Sequence, residues 1–159
     1  MKLVYEHILD HLNQKPSINC LSDKLLQLGH EHELDKNIFD FEFTPNRGDC
    51  LSLLGIIRDL NYFYEMKRNF DTYNHQIDNF KLDFVNRAVK KCPKISFLKI
   101  EIDSKPNRYK PYLERYFKDL KISKKNFFTD VSNYIAYELG QPTHCYDLEK
   151  INGQITLEE

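Results

Sequence analysis

The sequence predicts an α/β (α+β) fold, and three kinds of pattern support that prediction. Apolar residues recur at helical spacing in 20–28, 51–64 and 112–120, as on one face of an amphipathic helix. Apolar and acidic residues alternate in 38–43, and β-branched and aromatic residues dominate 95–102, which is typical of strands. Proline, glycine and asparagine stand between these segments, where turns are expected.

The first 33 residues are predicted to be helical. A first short helix would place three apolar side chains on one face: Leu3, Ile8 and Leu12. A second helix is predicted over 20–28, because its leucines lie four and three positions apart. Ser17 or Asn19 can cap its start. Gly29 can end it in a left-handed conformation.

Two histidines follow this helix and alternate with glutamates in the sequence HEHE at 30–33. Imidazole and carboxylate groups are zinc ligands, so a metal site is one interpretation. We favour a segment without metal, because no cysteine or third histidine lies nearby in the sequence. The chain has four cysteines: Cys20, Cys50, Cys92 and Cys145. They form no C-x-x-C pair, so the sequence predicts no zinc site.

A strand is predicted over 38–43, with its three phenylalanines on the buried face. Pro45 is expected to end this strand, and 46–48 to turn the chain. Asp49 would then cap a helix built from the apolar stripe of 51–64.

Arg47 and Asn46 lie in this turn, where Arg47 allows two interpretations. A guanidinium group can bind a phosphate or carboxylate ligand. It can also tie the turn to nearby carbonyl groups or acidic side chains. We favour this second, structural interpretation.

The middle of the chain begins with residues 66–76, which lose apolar periodicity and are predicted to be a linker or surface loop. Three further strands are predicted: 80–85, 95–102 and 155–157. A turn is expected at 105–108. Pro111 suits the first turn of a helix that continues through 112–120.

The next helix carries the densest set of positional signals. Asp130 or Ser132 can cap its start. Gly140 can terminate it in a left-handed conformation, and Pro142 prevents its continuation. His144 follows in a turn, where a side chain held by a rigid helix can take part in binding or chemistry.

Composition restricts the function further. The formal net charge is −1, so no overall basic field favours nucleic acid. The sequence has neither a long apolar run nor a leader-like start, so membrane insertion and secretion are not expected. A cytoplasmic location with reduced cysteines is expected instead. A glycine-rich phosphate loop of the Walker type is also missing from the sequence.

Three stretches together resemble the β subunit of bacterial phenylalanyl-tRNA synthetase. Residues 39–60 read FDFEFTPNRGDCLSLLGIIRDL and resemble the family's strand–TPNR–DCLS–helix signature. Residues 92–102 read CPKISFLKIEI and are similar to the opening strand of its editing domain. Residues 130–153 read DVSNYIAYELGQPTHCYDLEKING and resemble its DVTNYVxxELGQPxHAFD motif.

The resemblance implies a domain organisation. Residues 1–66 would be an N-terminal helix–strand–helix region, 67–79 a linker, and 80–159 the first part of a mixed-sheet tRNA editing domain. The family inserts an oligonucleotide-binding barrel before the TPNR strand, but only four residues separate Glu33 from Ile38 here. We therefore expect an N-terminal part of a β subunit that lacks the barrel and is truncated within the editing domain.

The family's holoenzyme is an α2β2 complex that activates phenylalanine with ATP and Mg²⁺ and transfers it to tRNA(Phe). The resemblance implies the α subunit and tRNA(Phe) as partners. It places the synthetic site on the α subunit, so this chain is expected to hold no residue catalytic for aminoacylation and to bind neither ATP nor Mg²⁺. The β subunit hydrolyses tyrosine wrongly attached to the tRNA, since an apolar pocket rejects an added hydroxyl only about a hundredfold.

By the same resemblance, Asn133 and His144 match residues that line the editing pocket, and Ser132 stands where threonine is usual. His144 would position the ester or the attacking water, and Asn133 would contact the substrate. Gln141 and Pro142 would shape the turn. The alternatives are that Asn133 braces the helix start and that His144 bonds to the backbone.

The family's editing site also needs an arginine before this motif, an acidic residue and glycine-rich walls. Residues 121–123 read KIS instead of the family's GIR, and the other positions would follow Glu159. A complete editing site is therefore not expected from this chain alone. Two alternative functions remain: a freestanding module that binds RNA or the α subunit without catalysis, and a trans-editing hydrolase.

Overall fold

A computed structural model describes residues 1–67, 76–104 and 106–159, and these residues fall into two compact units. The first unit comprises Met1–Asp71 and Asn107–His144; the second comprises Thr72–Pro106 and Cys145–Glu159. Helices, an antiparallel sheet and a parallel strand pair are all present, which confirms the α/β fold class. Most of the predicted linker lies outside the described residues, and the predicted domain bounds stay a prediction.

The first unit contains a three-stranded antiparallel sheet in the order β1-β3-β2. Its strands are β1 (Lys2–Val4), β2 (Glu31–Asp35) and β3 (Ile38–Glu42). The alternation in β3 buries Phe39 and Phe41 completely or nearly so, as the sequence predicts. Leu3 pairs with Phe39 in β1, so its assignment to the first helix is wrong. Pairing with β3 buries Leu3 and Val4 completely, and this burial outweighs the weak helical spacing of the segment.

Two helices lie between β1 and β2 in the chain: α1 (Tyr5–Asp10) and α2 (Ile18–Gln27). The Ser17 hydroxyl caps α2 by accepting a hydrogen bond from the Cys20 amide at 3.3 Å. Gly29 follows with a φ of 82°, a left-handed value that glycine adopts without strain. The predicted second helix is therefore confirmed, together with its cap and its terminator.

A 3₁₀ helix, Pro45–Cys50, connects β3 to α3 (Leu53–Leu60). The cap of α3 is Ser52, whose hydroxyl accepts from the Gly55 amide at 2.9 Å. The prediction of Asp49 as the cap is wrong, because arginine side chains bind its carboxylate instead. The helix begins later than predicted, and Leu51 remains 53% exposed.

The main core of the first unit joins this sheet to α1, α2 and α3. Its buried members are Leu3, Ile8, Leu12, Leu21, Leu25, Phe39, Phe41, Cys50, Leu53, Ile56, Ile57 and Leu60. Each large aliphatic side chain of this kind stabilises the folded state by about 1.5–3 kcal/mol through removal of apolar surface from water.

Two further helices complete the first unit: α4 (Pro111–Asp119) and α5 (Phe127–Leu139). Proline at the first position of α4 confirms the predicted start. Asn126 caps α5 by accepting from the Thr129 amide at 3.1 Å, so Asp130 and Ser132 are not its caps.

Asp130 is instead fully buried within α5. Its carboxylate accepts a hydrogen bond from the Tyr109 hydroxyl at 2.7 Å and from the Lys125 amide at 3.0 Å. These bonds replace the water that a buried carboxylate loses. Gly140 ends α5 with a φ of 72°, as the sequence predicts.

The second unit contains two short parallel strands, β4 (Phe84–Asn86) and β5 (Ile155–Leu157). The predicted strand at 155–157 is confirmed, whereas the predicted strand at 80–85 begins later and ends one residue beyond. Residues 95–102 form no strand, although their composition favours one. Leu98 and Ile100 are 62% and 67% exposed, and strand propensity is realised only where a partner strand and a packed face exist.

Among the residues described, no helix combines the length and apolar character that crossing a lipid bilayer requires.

Candidate functional site

The three predicted editing residues lie on α5 and on the loop after it. Asn133 is exposed on α5, and Ser132 is half-buried beside it. His144 is exposed in the irregular segment that follows Gly140. Asn133 precedes the end of α5 by about two turns, so it lies roughly 10 Å along the helix axis from Gly140.

The loop after α5 starts from a fixed point on the first unit. Gly140 takes its left-handed conformation against α3: a Cβ added there would lie 3.1 Å from the Cβ of Ser52. Ser52 belongs to the first motif and Gly140 to the third, so two stretches that are distant in sequence meet here. Gln141 and Pro142 continue from this contact and are exposed; their role in shaping the turn stays a prediction.

Arg47 lies in the 3₁₀ helix and is the centre of an ion-pair network. Its guanidinium donates to both oxygens of the Asp49 carboxylate, at 3.1 and 3.2 Å. It also donates to Asp59 on α3 and, at 2.7 Å, to the Cys50 sulfur. Arg58 binds the same two aspartates. This network is the structural role that we favour for Arg47; Asn46 beside it is exposed.

The charges of this network shift the protonation of its members. The Arg47 guanidinium holds the pKa of Asp49 well below its usual range. Burial alone would raise the pKa of Asp59, but hydrogen bonds from Arg47 and Arg58 outweigh it and lower that pKa. Burial raises the pKa of the Cys50 thiol to about 12, so this sulfur is protonated and is not an activated nucleophile.

His30 lies three residues after the end of α2 and contacts Asp59 of the same network. It is 1% exposed, and its Nε2 lies 3.0 Å from Oδ2 of Asp59. Burial lowers the pKa of His30 despite this contact. The Cys50 sulfur lies within 4.8 Å of both donor atoms, so a cysteine that is distant from His30 in the sequence lies close to it in the fold. No local spacing signals this convergence, because β2 and β3 lie between His30 and the other two residues.

A second group of polar residues lines a cleft of about 370 Å³ in the first unit. The cleft is bounded by residues of α1, α3, α4 and α5: His7, Asp10, His11, Leu53, Tyr112, Arg115, Tyr134, Tyr137 and Glu138. The sequence does not single out His7, which is 5% exposed. Its ring nitrogens lie 2.9 Å from the Tyr137 hydroxyl and 3.1 Å from Asp119, so His7 connects three helices.

Tyr134 and Tyr137, two tyrosines of this cleft, remain neutral phenols at ordinary pH. Burial raises the pKa of Tyr137 and that of Tyr134 well above their usual range. The Tyr134 hydroxyl donates to Glu138 at 3.0 Å. These contacts satisfy polar groups at the helix interface and therefore stabilise it.

Comparison with known proteins finds one matching family model and several similar proteins. A family model for the B3/4 domain matches residues 92–159, which include Ser132, Asn133 and His144. The chain is also similar to proteins named phenylalanine–tRNA ligase β subunit. Identity is 32% over 128 residues with the protein of Psychrobacter arcticus, 35% over 130 with that of Rickettsia conorii and 30% over 140 with that of Fusobacterium nucleatum.

These alignments cover most of this chain but a small part of each relative. They include 78% of this chain in all three cases. They include only 16%, 15% and 16% of the proteins of Psychrobacter arcticus, Rickettsia conorii and Fusobacterium nucleatum. The similarity therefore concerns one portion of a much longer kind of protein.

Proposed function

Because the chain belongs to the family of phenylalanine–tRNA ligase β subunits, we propose that it acts as a portion of such a subunit within an α2β2 complex. In this role it supports attachment of phenylalanine to tRNA(Phe) in the cytoplasm. ATP and Mg²⁺ bind to the α subunit, where the synthetic reaction takes place. The chain itself contributes contacts to the α subunit and to tRNA(Phe).

The second part of the proposal is editing of mischarged Tyr-tRNA(Phe). One observation supports it above others: the residues matched by the B3/4 domain model include both Asn133 and His144, and both side chains are exposed. His144 positions the ester or the attacking water, which an imidazole can do by hydrogen bonding. Asn133 supplies a polar contact to the tyrosyl group, with Ser132 beside it.

Hydrolysis of Tyr-tRNA(Phe) tests this proposal directly. The full chain is mixed with the α subunit from the same cell, and complex formation is followed by size-exclusion chromatography. Release of labelled tyrosine from Tyr-tRNA(Phe) is then measured with and without the chain. We expect co-elution with the α subunit. Because the chain carries only part of the expected editing site, we expect slow release of tyrosine, which His144→Ala lowers by at most about 10²–10⁴-fold, the usual contribution of a positioned proton-transfer group.

Thr143→Ala is the matched control, since Thr143 is exposed in the same loop and has no assigned role. It should leave both co-elution and tyrosine release unchanged. Co-elution without tyrosine release would overturn the editing part and support a non-catalytic module that binds the α subunit. Tyrosine release by the chain alone, without co-elution, would support a trans-editing hydrolase.

A further inference from the structure

We propose that His30, Cys50 and Asp59 form a binding site for a thiophilic divalent cation such as Zn²⁺. One donor atom from each residue lies within 4.8 Å of the other two. The Asp59 oxygen is 3.0 Å from His30 Nε2 and 3.5 Å from the Cys50 sulfur. The site lies within the first unit and is distinct from the residues assigned to editing.

The donor atoms fit Zn²⁺ in kind and in spacing. Imidazole nitrogen, thiolate sulfur and carboxylate oxygen are its usual protein ligands, with bonds of about 2.0–2.3 Å. In a tetrahedral arrangement those bond lengths separate neighbouring ligands by roughly 3.2–3.7 Å. The two separations from Asp59 are close to this range. All three donor atoms lie within 4.8 Å of one another, so the His30 and Cys50 side chains would close around the ion by side-chain rotation. A water molecule would supply the fourth ligand.

Arg47 currently provides the positive charge at this position. Its terminal nitrogen contacts both the Cys50 sulfur and the Asp59 carboxylate, the same two atoms that a metal ion would bind. Its side chain is 32% exposed and also pairs with Asp49. The guanidinium can therefore move outwards, stay paired with Asp49, and leave the three donors to the metal.

The exchange releases one proton and adds one net positive charge to the site. Zn²⁺ adds two positive charges, and the Cys50 thiol releases one proton to solvent as its sulfur becomes a ligand. The carboxylate of Asp59 and the new thiolate neutralise the metal. Arg47 and Arg58 then share the carboxylate of Asp49, and Arg58 keeps its contact with Oδ1 of Asp59. Their partial exposure to water screens the remaining positive charge.

The three ligands come from separate parts of the core. His30 follows α2, Cys50 ends the 3₁₀ helix and Asp59 lies on α3. A metal ion bound here would join these segments and would bind the folded chain in preference to the unfolded chain. The melting temperature should therefore rise with metal concentration.

Cobalt titration of the full chain tests the site, because Co²⁺ bound to a thiolate gives a charge-transfer absorption band. We expect the band to saturate at one Co²⁺ per chain and to disappear when Zn²⁺ is added. Cys50→Ser should abolish the band, whereas Cys92→Ser should leave it intact. Arg47→Met removes the competing cation and should tighten Co²⁺ binding by about tenfold or more.

Circular dichroism establishes that each variant is folded. Should Cys50→Ser not fold, His30→Gln provides a second test, because it retains the thiol and should weaken Co²⁺ binding without removing the band. The proposal is overturned if neither the natural chain nor Arg47→Met gives a charge-transfer band at saturating Co²⁺. A band that survives Cys50→Ser but is lost in Cys20→Ser or Cys145→Ser would also overturn it, since those thiols are exposed.

Discussion

The 3₁₀ segment at 45–50 and the loop at 141–147 come from equally distinctive sequence motifs but have different environments. In the first, Cys50 is fully buried and Arg47 is bound by two aspartates. In the second, every residue from 141 to 147 is exposed. The motif around 45–50 contributes to the core, whereas the motif around 141–147 presents its side chains to solvent. A distinctive sequence motif therefore does not by itself indicate a binding site.

The two motifs also meet, at Ser52 and Gly140. Ser52 caps α3, and Gly140 ends α5 against it. The buried motif thus provides the support from which the exposed loop begins. In proteins generally, binding and catalytic groups often lie on loops that a rigid scaffold positions. The contrast leads to four predictions, from the largest expected effect to the smallest.

Asp59→Ala should cause the largest loss of stability, about 3 kcal/mol, because Arg47 and His30 would each lose a charged partner in a largely buried site. Urea denaturation monitored by circular dichroism measures this loss. Asp147→Ala is the control: Asp147 pairs with Lys150 at the surface, and such pairs contribute at most about 1 kcal/mol. Similar losses in both variants would contradict the buried role of the first motif.

Gly140→Ala should destabilise the chain more than Gly29→Ala does. Both glycines have positive φ values, 72° and 82°, so alanine costs about 1–2 kcal/mol of backbone strain at either position. Only at Gly140 would the added Cβ press against Ser52, whereas Gly29 has nothing within 4 Å.

We expect this difference in packing to cost Gly140→Ala about 1 kcal/mol more than Gly29→Ala. Thermal or urea unfolding of the two variants measures it. Equal losses would show that Gly140 is needed for its backbone conformation alone.

Stability should fall as the pH falls below 6.5, and His7 should account for part of that fall. Burial lowers the pKa of His7, and nearby Asp119 only partly offsets this effect; Arg115 lowers the pKa further, and Asp10 raises it. The unfolded chain therefore takes up the proton at higher pH than the folded chain does, so acidification favours unfolding.

His7→Gln should reduce the dependence of unfolding free energy on pH between 6.5 and 5 by at most about 1.4 kcal/mol per pH unit. Burial also lowers the pKa of His30, so some dependence should remain in this variant. Urea unfolding at several pH values measures the slope, and an unchanged slope would contradict a buried His7.

His144→Ala should have the smallest effect on stability, within about 0.5 kcal/mol, as is usual for exposed positions. The same unfolding experiment measures it, with Thr143→Ala as the neighbouring control. A loss comparable to that of Asp59→Ala would mean that the exposed loop is part of the core after all.

Local patterns predicted the elements that depend on neighbouring residues. The leucine spacing of α2, the alternating phenylalanines of β3 and the proline at the start of α4 each specify their own segment. The left-handed positions of Gly29 and Gly140 were also predictable, because helix termini require them. These features need no knowledge of the rest of the chain.

Features that depend on distant residues could not be predicted in this way. Asp49 and Ser52 are both good capping residues, but the Asp49 carboxylate is bound by Arg47 and by Arg58, and Arg58 lies nine positions away. Asp130 is buried because Tyr109, 21 positions away, provides a hydrogen bond. The convergence of His30, Cys50 and Asp59 likewise depends on how β2 and β3 pair.

The parallel pairing of β4 with β5 has a consequence for the order of folding during synthesis. Phe84 pairs with Ile155, so β4 has left the ribosome well before its partner is made. The intervening residues include α4 and α5, which belong to the first unit. Because such a distant contact also carries a large loop-closure entropy, the backbone amides in β4 and β5 should gain protection from hydrogen exchange later than those of β3.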